Sequence, residues 1–372
     1  MSQTPDFVQQ QRDCRFLTEV VRAALKQPAP PPLPKDCDWA RLYDAARFHS
    51  LEGMIWPTVQ AAVTDHDPAL AAVWQRRTDQ LLLQTLTQWE ALQTLTQQLG
   101  QAGIPLVQLK GLVLRDLYPQ PTMRQLSDLD LLIHPEQAQA AAAFLAEQGY
   151  RLEEDAEQTP YHRGYVRPPY LQVELHTDLL DPQAAYYPAV CDPWGHLAPS
   201  GDRLDALYTY LYCVIHAAKH YYYKGTGIRT VLDLYLLRRH CPPEEAPVQA
   251  ALRAIHLEAF HRDLSTLGEC WFGDGQPLPA ELESMARVVW AAGTHGSPYA
   301  HAAGAVAPQR GTVSFVLHRA FPDFATMQAT YPVLSWYPVL LPWFWGHRLV
   351  RRLVGNPRVV AKELGVHAKM KR

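Results

Sequence analysis

The sequence predicts an α+β fold, in which a mixed sheet carries flanking helices and helical regions precede and follow it. Short apolar runs in the middle of the 372-residue chain end at Gly or Pro, which is typical of strands. Longer stretches on both sides have apolar residues at helical spacing. The length exceeds that of one typical domain, and 48% of the residues are hydrophobic, which is enough for an extensive core.

Changes of composition along the chain predict four regions. They are an N-terminal helical region (1–100), a central sheet region (101–180), a helical domain (181–330), and an aromatic and proline-containing segment with a basic tail (331–372). A stretch rich in Pro, Gly and Asp, residues 181–201, connects the sheet to the second helical region.

Composition also excludes several classes of protein. The net charge of −3 gives no general surface for nucleic acid. The six cysteines lie far apart without a Cys-x-x-Cys motif, which argues against a zinc cluster or a disulfide framework and for a reducing compartment. The polar first residues do not resemble a signal peptide, and no uninterrupted apolar run reaches about 18 residues. We therefore expect a cytoplasmic protein without a transmembrane helix.

Four helices are predicted before the sheet. Apolar stripes at helical spacing indicate the first three, over 14–27, 39–50 and 51–63. Asp67-Pro68 is a typical helix start and begins a longer helix that runs to about Leu99. The proline-rich run at 28–35 is predicted to be a polyproline-like spacer, with binding to an aromatic groove as the alternative.

Residues 103–133 carry the features on which the functional interpretation depends. An apolar, strand-forming run at 104–109 is followed by Lys110-Gly111, and 112–118 has helical spacing. A lysine at such a turn can meet a phosphate chain, and a glycine lets the backbone approach it closely. The alternative for the lysine is a surface position after a strand.

Two aspartates open the next predicted strand, 127–133. Because residues i and i+2 of a strand point to the same face, Asp128 and Asp130 project together, while Leu129 and Leu131 face a core. Two carboxylates on one edge are costly unless a cation or a proton neutralises them, and hard oxygen ligands at this spacing suit Mg²⁺. The alternative is a solvated strand edge, since acidic-x-acidic pairs also occur by chance.

A third carboxylate lies on a later predicted strand. A helix that begins at Pro135 covers the sheet, and strands follow at 150–153 and 170–176. Alternation places Glu174 and His176 on one face of the last strand. Glu174 is then either a third metal ligand, able to act as a general base, or an exposed residue paired with Arg or Lys.

The second helical region contains two pairs of polar residues one helical turn apart. Helical patterns extend over 205–240, 247–271 and 280–293. His216 and His220 share a helix face, but Ala217 stands where a zinc protease needs Glu, so structural or substrate-contacting roles remain. Arg229 and Asp233 form either an intrahelical ion pair or part of a nucleotide pocket.

The segment 331–352 is rich in aromatic residues and prolines and ends in a basic run. Tryptophan and tyrosine favour the headgroup depth of a membrane, and arginines favour anionic lipid, so a peripheral membrane contact is one interpretation. The other is a hydrophobic segment, broken by proline, that packs on the helical domain.

Several motifs together resemble a known superfamily. The chain is similar to nucleotidyltransferases with a DNA polymerase β-type palm, and most of all to a bacterial family of uncharacterised nucleotidyltransferases. The resemblance covers roughly residues 40–240 and rests on Lys110-Gly111, Tyr118-Pro119, Arg124, Asp128-Leu129-Asp130, Val173-Glu174-Leu175-His176, His216, Lys219-His220, Arg229 and Asp233-Leu234. The wider superfamily usually has Gly-Ser at the turn where this chain has Lys-Gly.

The resemblance implies a polymerase β-like sheet for 101–180 and a set of roles for its residues. Catalysis and the binding of Mg²⁺, or Mn²⁺ as the alternative, are implied for Asp128, Asp130 and Glu174. Nucleotide binding is implied for Lys110, Gly111, Arg124, Arg229 and Asp233. A guanidinium can bind phosphate oxygens bidentately, but Arg124 has the alternative of an ion pair with Asp116 or Asp128.

These roles predict the transfer of an NMP group from an NTP to a hydroxyl or similar acceptor, with two Mg²⁺ ions roughly 4 Å apart. The near-neutral charge favours a small molecule or a protein side chain as acceptor over a long nucleic acid. The Lys-Gly turn keeps a second hypothesis open, namely a catalytically inactive nucleotide-binding or protein-interaction module of the same fold.

Overall fold

The structure is a computed structural model. It describes the residues 5–26, 37–153, 159, 161–294, 296, 327 and 331–347. The predicted proline-rich spacer at 28–35 and the basic residues after 347 lie outside this part of the chain.

Four helices precede the sheet, as the sequence predicts. They are α1 (Pro5–Lys26), α2 (Trp39–Phe48), α3 (Glu52–His66) and α4 (Pro68–Gln101). The side chain of Asp38 accepts a hydrogen bond from the backbone N–H of Arg41, which begins α2. Asp67 caps α4 in the same way through Leu70, with Pro68 in the first turn. α4 ends just before Gly103, two residues later than predicted.

The sheet has five strands. They are β1 (Val107–Gln108), β2 (Leu129–Leu132), β3 (Arg151–Leu152), β4 (His162–Arg167) and β5 (Leu171–His176). Their order is β1-β2-β5-β4-β3, and all neighbours are antiparallel except β2 and β5, which run parallel. The sheet is therefore mixed, as predicted, and its only parallel pair joins the two strands that carry the acidic motifs.

Short connections separate these strands. After β1 the chain forms α5 (Gly111–Leu114) and then 3-10 turns at Arg115–Leu117 and Pro121–Met123. The helix predicted over 112–118 is thus shorter, because Pro119 and Pro121 prevent its continuation. After β2, a 3-10 turn and α6 (Ala138–Glu147) lead across the sheet towards β3.

In the described residues up to 294, five helices follow the sheet. They are α7 (Ala206–Lys224), α8 (Ile228–His240), α9 (Glu245–Ala254), α10 (Glu258–Phe272) and α11 (Glu283–Ala292). The helical pattern predicted over 247–271 forms two helices, α9 and α10. The backbone leaves the helical region between them at His256, which has a φ of +57°. None of the helices in the described residues combines the length and apolarity that a membrane crossing requires.

Two hydrophobic cores lie on opposite faces of the sheet. Leu129 and Leu131 of β2 pack with α4 and α6 in the smaller core. Leu132 belongs to the larger core, which the helices before and after the sheet build together. Because β2 alternates between these faces, Asp130 points to the side of α7 and α8.

Candidate active site

A cavity of about 410 Å³ lies between this face of the sheet and the helices α7 and α8. The three predicted acidic residues and all five predicted nucleotide-binding residues line it, so the fold brings the whole set together. Its lining includes Lys110, Gly111, Arg124, Asp128, Asp130, Tyr161, His162, Glu174, His176, Tyr212, His216, Lys219, His220, Arg229 and Asp233.

The acidic residues owe their proximity to the parallel pairing of β2 and β5. Asp130 and Glu174 are register partners, directly opposite each other on the two strands. Asp128 lies just before β2 and lines the same cavity. Strand alternation, which groups Asp128 with Asp130 and Glu174 with His176, is thus sufficient to place all four on one face.

Asp130 is the most firmly held of the acids. Its Oδ1 atom accepts a bond of 2.7 Å from Nζ of Lys110 and lies 3.0 Å from Nε2 of His176. The same imidazole nitrogen is 3.4 Å from Oε2 of Glu174. His176 therefore links the two carboxylates from a buried position, and only 3% of its surface is exposed.

The three carboxylates differ in their electrostatic state. Burial, together with the nearby charges of Asp130 and Glu174, raises the pKa of Asp128 to about 7. Burial also opposes ionisation of Asp130, but Lys110 and His176 outweigh it and hold the pKa of Asp130 well below its ordinary value. For Glu174, burial is likewise outweighed by the hydrogen bond from His176, and its pKa is lowered. Two of the acids are thus stabilised as anions, and Asp128 is not.

The donor atoms fit a divalent cation. Ligand atoms of Asp130, Glu174 and His176 all lie within 4.8 Å of one another. Within the described residues, the carboxylate of Asp128 has no hydrogen-bond donor or ion-pair partner, although the residue is half-buried. A carboxylate without a partner beside two others is a position that a cation stabilises. His176 extends the site beyond the three acids predicted from sequence, as the group that links Asp130 and Glu174.

Arg124 and Asp233 form an ion pair with each other, so neither side chain is free to bind a nucleotide separately. Nε and Nη2 of Arg124 each donate to a different Asp233 oxygen at 2.8 Å, and the hydroxyl of Tyr118 donates to Oδ1 at 2.7 Å. All three side chains are buried. The alternative prediction that Arg124 pairs with Asp116 or Asp128 is wrong, because α8 brings Asp233 to this position.

Gly111 is required by packing. A Cβ atom at this residue would lie 2.6 Å from Nη1 of Arg124 and 2.8 Å from Cδ2 of Leu126. Both distances are shorter than a normal contact, so a side chain at the first residue of α5 would force the ends of Arg124 and Leu126 to shift and would disturb the bond from Arg124 to Asp233. This constraint adds to the close backbone approach that the sequence suggests for Gly111.

Arg229 faces the cavity without a counter-ion. Its Nη1 atom donates to the backbone oxygen of Gln125 at 3.1 Å, and no carboxylate of the described residues lies within 4.0 Å of its guanidinium. Burial and the nearby charge of Arg124 lower the pKa of Arg229. The predicted intrahelical pair with Asp233 is therefore wrong, because Asp233 is engaged by Arg124.

Helix α7 contributes the remaining polar wall of the cavity. Nε2 of His220 lies 3.0 Å from Nε2 of His216, so the two rings share one hydrogen bond, and burial holds the pKa of His216 well below its ordinary value. Nζ of Lys219 donates to the hydroxyl of Tyr161 at 3.4 Å. The ring of Tyr212 lies 5.7 Å from Nζ of Lys110. Neither Tyr161 nor Tyr212 is predicted from sequence, because nothing in their local pattern distinguishes them from core aromatics.

Comparison with known proteins places the chain in a family. Residues 35–273 match the family described as uncharacterised nucleotidyltransferase, a range that spans the sheet and every cavity residue named above. No curated protein and no solved structure matches the chain. The match covers more than half of the sequence and contains the acidic strands in the order that the resemblance requires. The chain therefore belongs to the uncharacterised nucleotidyltransferase family and is a transferase of nucleotidyl groups.

Proposed function

We propose that the protein transfers an NMP group from an NTP to a hydroxyl or similar acceptor on a small molecule or a protein, with the help of Mg²⁺. The observation that carries this proposal is the convergence of Asp128, Asp130 and Glu174 in one cavity that also contains an unneutralised guanidinium. Carboxylates suit the cation, and a guanidinium suits phosphate oxygens.

Asp128, Asp130 and Glu174 would hold the cation, with Mn²⁺ as the alternative to Mg²⁺. When bound, a divalent cation neutralises phosphate charge and lowers the pKa of a coordinated hydroxyl. The carboxylates orient the acceptor oxygen towards the α-phosphorus, and Glu174 accepts its proton. The new bond joins the acceptor oxygen to the α-phosphorus, the bond from that phosphorus to the β-phosphate oxygen breaks, and pyrophosphate leaves with the electron pair.

Arg229 is the residue that we propose to bind the phosphates directly. Its guanidinium lines the cavity and has no carboxylate partner in the described residues, so a phosphate oxygen would neutralise it. Arg124 and Asp233 support the nucleotide site differently, since each satisfies the other. They hold α8, which carries Arg229, against the loop that follows α5.

The polar wall of α7 is where we propose the acceptor to bind. Lys219, His220 and Tyr161 line the cavity beyond the carboxylates and offer donors to a polar molecule. A cavity of about 410 Å³ suits a nucleotide with a small molecule or a single side chain. The near-neutral net charge again argues against a long nucleic acid.

The test combines nucleotide binding with product formation. The wild-type chain and the Asp128→Asn/Asp130→Asn variant are each titrated with ATP, GTP, CTP and UTP in the presence and absence of Mg²⁺. We expect binding that depends on Mg²⁺ and is lost in the variant. Pyrophosphate release and transfer of α-labelled nucleotide to a metabolite pool or lysate then report turnover. Binding without any transfer supports the alternative, an inactive nucleotide-binding or protein-interaction module, and no binding contradicts the proposal.

A second proposal concerns the segment 331–352, which we propose to contact an anionic membrane surface while the protein acts in the cytoplasm. Trp336 and Val339 are each 82% exposed and Trp343 is 63% exposed. A basic sequence follows directly. The six cysteines are free thiols, consistent with a reducing compartment. We expect the wild-type chain to float with vesicles containing phosphatidylserine and the Trp336→Ser/Trp343→Ser variant to stay unbound. Equal flotation of the wild type and the variant would contradict the contact.

A further inference from the structure

The ammonium group of Lys110 is part of the carboxylate cluster. Nζ lies 2.7 Å from Oδ1 of Asp130, and the two side chains are only 16% and 5% exposed. The backbone of Lys110 has a φ of +43°, an unusual conformation for a residue with a side chain. Because this conformation begins α5, the fold fixes the direction in which the side chain leaves the turn. Lys110 is therefore a fixed component of the site and not a surface lysine.

The hydrogen bonds divide the oxygens of the cluster into two groups. Oδ1 of Asp130 is engaged by both Lys110 and His176, and Oε2 of Glu174 is near His176. The oxygens without a hydrogen-bond donor in the described residues are Oδ2 of Asp130, Oε1 of Glu174 and both oxygens of Asp128. This second group is enough for one Mg²⁺, which usually takes one or two carboxylates and completes its shell with water and phosphate.

The charges of the side chains in the cluster also favour one bound cation. When a bound cation keeps Asp128 ionised, the three carboxylates and the Lys110 ammonium group leave two negative charges, which a single divalent cation neutralises. The guanidinium of Arg229 lines the same cavity and adds a positive charge for the phosphates. Two divalent cations beside the ammonium group would give an excess of two positive charges before nucleotide binds. In a buried site such an excess is costly, since like charges at short range repel strongly.

We propose that the cluster binds one divalent cation and that the Lys110 ammonium group replaces the second cation of a two-ion site. The inference rests on the proposed function and concerns the same site. Lys110 acts through Asp130, so it is a positioning residue whose positive charge neutralises the Asp130 carboxylate. It remains on Asp130 when nucleotide binds, and Arg229 meets the phosphates. The two-ion arrangement expected from sequence is thereby replaced by one ion and one lysine.

Electron paramagnetic resonance of bound Mn²⁺ tests the number of ions directly. The full chain is loaded with Mn²⁺, first alone and then with α,β-methylene-ATP, an analogue that cannot release pyrophosphate, and free ions are removed. A single bound ion gives an isolated Mn²⁺ spectrum, whereas two ions roughly 4 Å apart give a spin-coupled one. The wild type, Lys110→Met and Lys110→Arg are compared, because methionine keeps the length of the side chain and arginine keeps the charge.

We expect one Mn²⁺ per chain and an uncoupled spectrum for the wild type and for Lys110→Arg. Lys110→Met should bind two ions with a coupled spectrum, and its melting temperature should rise more with Mn²⁺ than that of the wild type. A coupled pair in the wild type overturns the inference while leaving nucleotidyl transfer intact. A single bound ion in a folded Lys110→Met variant also overturns the inference. If Lys110→Met does not fold, Lys110→Gln and the wild-type spectrum decide the question. A wild type that binds neither Mn²⁺ nor the analogue overturns the proposed function as well.

Discussion

The guanidinium of Arg124 makes two parallel hydrogen bonds to the carboxylate of Asp233, which lies 109 residues later in the chain. The pair joins the loop before β2 to helix α8, and both partners are buried. The hydroxyl of Tyr118 donates to the same carboxylate. The site therefore depends on a buried ionic link between the sheet region and the helices that follow it.

Removing one partner of this link should destabilise the fold. Arg124→Met leaves the Asp233 charge buried without its cation, so we expect the free energy of unfolding to fall by about 3–5 kcal/mol. Asp233→Asn should cost a similar amount. Urea denaturation measures both, and the Arg124→Met/Asp233→Leu double variant should lose clearly less than the sum of the two single variants. Additive losses would show that the pair contributes no coupling.

Asp128 and Asp130 should respond differently to the same substitution. Asp130→Asn removes the partner of Lys110 and His176, and we expect a loss of about 3 kcal/mol or more in stability. Asp128→Asn removes a half-buried carboxylate that has a raised pKa and no partner in the described residues, so it should leave stability unchanged or higher. Thermal unfolding without metal compares the two.

Both asparagine variants should nevertheless lose nucleotidyl transfer by more than about 100-fold, because each removes a proposed cation ligand. Asp79→Asn, at an exposed position of α4, serves as the control for the substitution itself. Transfer of α-labelled nucleotide, measured at a temperature where every variant is folded, gives the result. Activity near the wild-type level in Asp128→Asn would show that Asp128 is not a cation ligand.

Arg229 should contribute to nucleotide affinity more than to stability. Arg229→Met removes a charged donor that has no carboxylate partner in the described residues, and we expect the Kd of Mg²⁺-ATP to rise about 10-fold or more. The loss of stability should be smaller than in Arg124→Met, since no counter-ion is left behind. Calorimetric titration measures the affinity, and Arg229→Lys should recover part of it. An unchanged Kd in Arg229→Met would mean that the phosphates bind elsewhere.

His49 makes stability depend on pH. The ring is fully buried, its Nδ1 accepts a bond from the backbone N–H of Ile228, and burial lowers its pKa from 6.5 to about 3. Above pH 6.5 the residue is neutral in both the folded and the unfolded chain, so its contribution to stability is constant. Below that value the unfolded chain binds a proton that the folded chain rejects, and stability falls until the folded pKa is reached.

Between about pH 7.5 and about pH 5 this residue should therefore reduce the free energy of unfolding by about 2 kcal/mol. Urea denaturation at both pH values measures the change. In His49→Asn the side chain keeps an acceptor near Ile228 but does not titrate, so the loss between the two pH values should shrink by that amount. An equal loss in the variant would assign the pH dependence to other groups.

Much of the fold follows from local patterns. The caps at Asp38 and Asp67 and the alternation around Asp130 and Glu174 predict α2, α4 and the two acidic strands within a few residues. These signals are local because a cap or a strand face is set by residues close in sequence. The helical pattern over 247–271 does not show that the chain forms two helices there, since sequence spacing does not reveal that His256 adopts a left-handed conformation.

The partners of the charged residues could not be predicted in the same way. The alternative to phosphate binding by Arg124 is an ion pair with an aspartate close in sequence, but its partner is Asp233, which is set by how α8 packs against the sheet region. His176 could have been included, because it shares a strand face with Glu174 and because β5 lies parallel to β2. Nothing in the local sequence shows that Lys110 bonds to Asp130, since that contact depends on the unusual turn after β1.

The direct opposition of Asp130 and Glu174 has a consequence for how related chains can diverge. The spacing of neighbouring strands, about 4.8 Å, sets the separation of their backbones. Residues from α7 and α8 line another part of the cavity, and they come from a separate part of the chain. Substitutions in those helices can therefore exchange one acceptor for another while the acids keep their separation, so a single sheet can support several specificities.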